Sequence, residues 1–248
     1  MSRWWAPKPH GEHYGLAFIR IVVAILLVLH PLHAFAHPSD AHGATWIALV
    51  AVLIASGMLI VPRFARLGAA IAMVVVAGGA IFLYAPNWFV VGGRAVEGHP
   101  GIEYNMLLLG CLAAIATGRD HLGMQIVRVV TAASLVPHGI AAYFDIAGMH
   151  QWGDAMTANG WPHGVLMVWS IKIGELVGAI ARISGRFVVF ACLGHLAYLI
   201  PGMWISHEWD WFVVGPGEGG IEFSVLLIAG ALATLFVYLP TRDTARPR

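Results

Sequence analysis

Long apolar runs, each broken by Pro, Gly or charge, follow one another along almost the whole chain. Their lengths approach the roughly 17–25 residues that a helix needs to cross a bilayer. The breaks place eight candidate helices near 15–36, 44–62, 67–86, 101–118, 124–144, 163–182, 187–206 and 220–239. The longest piece between them, 145–162 (DIAGMHQWGDAMTANGWP), reads as a loop or short interfacial helix. Residues 1–14 are polar and lead directly into a full span, the pattern of a signal anchor rather than of a cleaved leader. The expected fold class is all-α, an integral membrane protein of eight transmembrane helices.

The pattern also repeats. NWFVVG at 87–92 returns as DWFVVG at 210–215, and GIEYNMLLLG at 101–110 as GIEFSVLLIAG at 220–230. Arg20 and His30 match Arg128 and His138 at the same separation, and PRF at 62–64 matches GRF at 185–187. Each unit holds four spans, an even number, so both copies sit the same way up. Residues 1–120 then form a first, degenerate four-helix repeat and 121–248 a second, two parallel four-helix repeats in all.

Composition agrees with a bilayer as solvent. Charged residues make up 11% of the chain, against about 25% in soluble proteins, hydrophobic residues make up 59%, and mean hydropathy is +0.76. The net charge of +1 points to no nucleic-acid partner. Arg3, Lys8, Arg63, Arg66, Arg119, Arg182, Arg186, Arg242, Arg246 and Arg248 fall on one side of the expected spans and Arg94 on the other. By the positive-inside rule both termini are cytoplasmic, in an inner (plasma) membrane of bacterial type. Glu103, Glu222 and the Trp-rich loops then face outward, with His30, His33, His37 and His42 at the exit of span one. His138, Asp145, His150 and His163 cluster around the matching exit of span five, and His207, Glu208 and Asp210 precede the second WFVVG. Cys111 and Cys192 lie singly in apolar runs without a CxxC spacing, which reads as two buried free thiols.

Arg128 followed by LVPHG, the stretch KIGELVGAIARISGRF, and GGIEFSVLLIAGAL together resemble the DoxX/DoxD superfamily of four-helix membrane proteins. The first half keeps FIR…LVLHP and GIEYNMLLLG but has Leu49, Val52 and Ala72 where the second has Lys172, Glu175 and His195. The resemblance implies an inner-membrane, redox-linked protein, similar to the membrane subunit of thiosulfate:quinone oxidoreductases or to accessory proteins of thiol and sulfur redox systems.

Glu175 is the sharpest single residue. A carboxylate inside a span is costly unless paired or neutralised, so it faces the bundle interior. Lys172, three residues earlier, is its nearest partner, with Arg20, Arg128 and His195 as others. A structural ion pair and a proton relay both satisfy the pattern. Glu103 and Glu222 open their helices, where the macrodipole favours a carboxylate by about 0.3–1 kcal/mol; each is also a candidate proton acceptor. Trp88, Phe89, Trp211 and Phe212 suit an interfacial aromatic belt or a platform for a quinone ring.

His30, His33 and His37 share a helical face at a spacing that suits a metal or haem iron, but Pro31 and Pro38 interrupt it. Haem b asks for two axial histidines on different spans, a minimum that His30 and His138 meet. Partly hydrated interfacial histidines are the plainer account, and no metal ligand is assigned. Arg20 and Arg128 lie about 15 Å of helix rise from these histidines, so each pair marks opposite leaflets.

The function expected is a membrane subunit of a redox system that binds quinone or another lipophilic acceptor near the outer leaflet. His138, Glu222, His30 and Glu103 would handle protons, Trp211, Phe212 and Trp88 shape the pocket, and Glu175 with Lys172 support the second half. With no flavin, iron–sulfur or CxxC motif, the electrons are expected from a partner protein. A non-enzymatic scaffold or assembly factor is one alternative. A small-molecule carrier is another, disfavoured because its midplane charges should recur in both repeats.

Overall fold

The structure is a computed structural model that describes residues 9–36, 43–81, 103–206 and 221–239. Among them the chain forms ten α-helices: α1 (Pro9–Ala36), α2 (Ala44–Ile60), α3 (Ala65–Gly79), α4 (Glu103–Ala116), α5 (Asp120–Ala133), α6 (Val136–Ala141), α7 (Ile146–Ala158), α8 (Gly164–Ser184), α9 (Val188–Ser206) and α10 (Glu222–Tyr238). The all-α expectation holds for the described residues. Trp88, Phe89, Trp211, Phe212, His37, His42, His207, Glu208 and Asp210 lie outside them.

The helix boundaries follow local chemistry. Pro9 opens α1, a position where its missing N–H is no loss, and Glu12 sits in the first turn. The helix runs through Pro31, so the interruption expected there does not end it. Gly185, at φ 74, closes α8 in the left-handed conformation, and the N–H of Arg186 reaches back to the Ala181 carbonyl.

Span five differs most from expectation. It is two helices, α5 and α6, separated by a turn at Ser134 and Leu135. Pro137 has no N–H to continue the helical ladder. The stretch 145–162 contains α7, whose start is capped by Asp145 accepting from the Gly148 N–H at 3.0 Å. Asp145, expected in a polar cluster with His138, is thus a capping residue. Met149, Met156, Trp152, Trp161, Val168 and Trp169 pack together where α7 lies on α8.

The interior mixes small and large residues, with Ala55, Ala69, Ala72, Ala114, Ala231 and Ala233 fully buried beside Ile19, Leu59, Leu107, Leu112 and Leu226, while Ile47, Val74, Leu166, Phe187 and Phe190 point outward. In lipid, tails are as apolar as leucine, so helices associate by close packing and hydrogen bonds rather than by hydrophobic burial. The large apolar side chains on the outer surface fit that solvent. Three helical stretches, His10–Ala36, Pro62–Gly79 and Gly164–Ser184, are long and apolar enough to cross a membrane. Thr45–Ile60, Glu103–Ala116, Val188–Met203 and Glu222–Tyr238 are apolar but run only 10–17 residues among the described residues.

Helices from the two ends of the chain interlock. α1 packs against α2, α4, α5 and α10, α4 packs against α3 and α5, and α8 packs against α5, α6, α7 and α9. Glycines permit the closest approaches. A Cβ on Gly15 (α1) would lie 2.8 Å from the Ala233 carbonyl oxygen of α10, and one on Gly123 (α5) 2.9 Å from that of Ala114 in α4.

Candidate functional site

Four of the expected site residues form two pairs at one end of the bundle. Near the end of α1, His30 Nε2 lies 3.1 Å from Glu222 Oε2, and Glu222 is the first residue of α10. On α6, His138 Nε2 lies 3.7 Å from Oε2 of Glu103, the first residue of α4. The pairing crosses the sequence: the histidine of the first half meets the glutamate of the second, and the reverse. Glu222 is completely buried. It opens a helix, so the N-terminal dipole adds to what the imidazole supplies.

The two pairs differ in their third neighbour. Tyr104 on α4 lies buried beside Glu222, whereas Phe223 on α10 sets its ring 5.7 Å from that of His138. One pair therefore has a phenol within reach and the other an apolar ring. In each pair an imidazole faces a carboxyl group, an arrangement suited to general acid–base transfer.

A second polar group lies within the packing of α8 and α9. Lys172 Nζ donates to Glu175 Oε2 at 2.8 Å and sits 5.5 Å from the Trp152 ring centroid. The pairing expected from their spacing is present, and α6 packs over it: a Cβ on Gly139 would stand 3.1 Å from the Lys172 carbonyl oxygen. His138 and Lys172 are thus on helices in direct contact, within electrostatic reach of each other.

Arg182 corrects the sequence reading. Expected as a cytoplasmic connecting charge, it is in the last turn of α8 and fully buried. Its Nη1 donates to His195 Nδ1 at 3.1 Å and its Nη2 to the Thr131 hydroxyl, which itself donates to the Val127 carbonyl at 2.7 Å. Because a guanidinium only donates, His195 Nδ1 accepts and Nε2 carries the hydrogen. That nitrogen faces the α8 backbone at Gly178, where a Cβ would collide with the ring. His195 therefore meets Arg182 instead of the Glu175 carboxylate. Tyr198, one turn along α9, lies 5.6 Å from the His195 ring and near Glu175. Arg128, considered as a partner for Glu175, instead donates from Nη1 to the Arg182 carbonyl and from Nη2 to Gln125 Oε1, both at 2.5 Å.

The opposite end of α1 carries two more acid–histidine pairs. His13 Nδ1 lies 3.0 Å from Asp120, and His121 Nδ1 lies 2.6 Å from Glu12. Glu12-His13 and Asp120-His121 stand at the separation that relates His30 to His138, and again each acid takes the other's histidine. That recurrence was the available signal for these residues; Arg182 had one too, since it follows Glu175 by two helical turns on the same face.

Among the described residues, no group of three His, Cys, Asp or Glu is placed to hold a metal ion. Both cysteines are buried and free. No curated protein and no protein of solved structure matches the chain. Residues 123–208, which contain most of α5, all of α6 to α9 and with them His138, Lys172, Glu175, Arg182 and His195, match the DoxX family model, so this part of the chain is similar to the DoxX family.

Proposed function

We propose that this protein is the membrane subunit of a redox system, taking a quinone or another lipophilic acceptor at the bundle end that holds the two His–Glu pairs. A partner protein supplies the electrons. The observation that carries the reading is the crossed pairing of His30 with Glu222 and of His138 with Glu103. A quinone, when bound, takes up two electrons and two protons to become the quinol. Each pair offers one proton, which leaves it as a carboxylate beside a neutral imidazole until a proton from water at that end of the bundle restores it.

Trp88 precedes Glu103 in sequence, and Trp211 and Phe212 precede Glu222, so these rings are proposed to shape the acceptor's pocket. Lys172 and Glu175 hold the second pair's surroundings from α8. The Nε2 atoms of His30 and His138 each face a carboxylate, which favours the proton-carrying role over axial ligation of haem b. The proposal includes a duplicated four-helix unit, eight spans and cytoplasmic termini in an inner membrane. The matched contacts of Gly15 with Ala233 and Gly123 with Ala114 support the duplication.

A reduced-minus-oxidised spectrum of the protein in mild detergent is the first test. Near-ultraviolet bleaching without a Soret change is the expected result, and a Soret change would replace quinone by haem. A flat difference would turn the reading to a scaffold that recruits its partner without chemistry, for which the same pairs serve as interhelical ties. Glu175→Gln separates the two further: it should lower the partner's electron transfer severely in the redox reading and leave it intact in the scaffold reading.

A further inference from the structure

A cavity of about 380 Å³ opens at the other end of α1, between that helix, the 3-10 turn Pro62–Phe64 and the connection from α4 to α5. Its volume is within the range of small-ligand pockets, about 300–1,000 Å³. Arg20, Arg63 and Arg66 line it together with His13, Gly118 and Asp120. Among the described residues, three guanidinium groups thus face a single lining acid, and His13 already holds that acid at 3.0 Å. The surplus is positive, and like charges gathered in one cavity repel unless an anion joins them.

The arginines are positioned rather than merely nearby. Arg66 Nη2 donates to the Gly118 carbonyl at 3.0 Å. Gly118 sits at φ 58, and a Cβ there would collide with the Arg66 guanidinium. Glycine is required at that position by the backbone and by the arginine at once. Arg63 lies over the Phe64 ring at 4.6 Å from its centroid. Arg20 Nε is buried and has no hydrogen-bond partner among the described residues. The matching Arg128 has both terminal nitrogens committed to protein acceptors, and Val189 stands where the first half has Arg66.

We propose that this cavity binds a phosphate-type oxyanion, either the headgroup phosphate of an anionic lipid or free phosphate. Arginine presents planar pairs of N–H donors that match such oxygens, and Arg20 Nε supplies a donor that none of the described residues takes up. Val61, Phe64 and Leu67 are exposed beside the cavity, an apolar rim along which acyl chains have room to lie. The site is separate from the His–Glu pairs and does not rest on the redox reading.

Thermal unfolding of the full chain in mild detergent tests this, with titration by inorganic phosphate and, separately, by phosphatidylglycerol or phosphatidylcholine in mixed micelles. Phosphatidylglycerol should raise Tm and phosphatidylcholine should not. Arg20→Gln and Arg66→Gln should each weaken the apparent affinity about tenfold, the loss of one charge-assisted hydrogen bond. Gly118→Ala should act like Arg66→Gln, and Arg63→Gln, at an exposed residue, covers the case in which Arg20→Gln fails to fold. Arg186→Gln, outside the cavity, should change nothing. Stabilisation by phosphate alone at equal strength would make the free ion the ligand, and stabilisation by phosphatidylglycerol only would make it the lipid. No shift with either, or equal shifts in wild type and the arginine variants, would overturn the proposal.

Discussion

The charge on Arg182 is held by neighbours that sequence distance hides. His195 is thirteen residues away and Thr131 fifty-one, on two other helices. The Lys172–Glu175 pair was legible because both partners share one helix turn; the Arg182 cluster was not, because only the packing of α5, α8 and α9 brings it together. Leu59 and Ala72 stand where the second half has Arg182 and His195. His195→Ala leaves a buried guanidinium short of an acceptor and should cost about 3–5 kcal/mol. Arg182→Leu combined with His195→Ala restores the first-half residues and should cost clearly less than the two single changes added together. A double-mutant cycle of unfolding in detergent measures the difference, and additivity would mean that the two side chains do not interact.

His30 and Glu222 pose the same question at a candidate reactive group. Glu222→Gln keeps the side-chain shape and a hydrogen bond to His30, so its stability cost should be about 0.5–1.5 kcal/mol. His30→Ala removes one partner of a buried carboxylate and should cost more, about 1–3 kcal/mol. Both variants remove one member of the pair, so under the proposed redox function both should abolish acceptor reduction in the complex with the electron-supplying partner. Stability and electron transfer measured on the same two variants tell a tie from a proton carrier. If Glu222→Gln transfers electrons normally, the pair is only a tie.

Helix positions were legible from the apolar runs and their breaks because a bilayer allows the backbone few alternatives. The division of span five was the element that escaped, since one proline in an apolar run reads as a kink as easily as a stop. The close approaches of α1 to α10 and of α5 to α4 rest on Gly11 and Gly15 and on Gly110 and Gly123, and only the atoms opposite them reveal which glycines those are. Gly15→Val and Gly123→Val each drive a side chain onto a carbonyl oxygen and should destabilise by about 1–3 kcal/mol through overpacking. Gly57, on α2, faces nothing within 4 Å, so Gly57→Ala should be neutral or stabilise the helix by up to about 1 kcal/mol. Thermal melts of the three variants check this directly. Equal effects at all three positions would remove the glycines from the account of packing.

At the scale of the whole molecule, the crossed pairs bind the first half of the chain to the second at both ends. His30–Glu222 and His138–Glu103 join α1 to α10 and α6 to α4 at one end. At the other, Glu12–His121 and His13–Asp120 join α1 to α5. The apolar core is likewise continuous, running from Leu16 to Tyr238. Lipid covers an exposed apolar face without penalty, so apolar contact by itself does not force the halves together. The polar pairs do: apart, each half presents a glutamate from a helix start and a histidine to hydrocarbon, at several kcal/mol per unsatisfied group. Residues 1–118 produced alone should therefore be degraded or aggregate, as should 119–248, although the second contains the stretch similar to the DoxX family. Produced together from separate genes, the two should co-purify through an affinity tag on one of them. Glu222→Ala with Glu103→Ala should then weaken recovery of the untagged half, whereas a change of matching size at the lipid-facing Val74 should not. A second half that is monomeric, folded and stable alone would show that the crossed pairs decorate two independent domains.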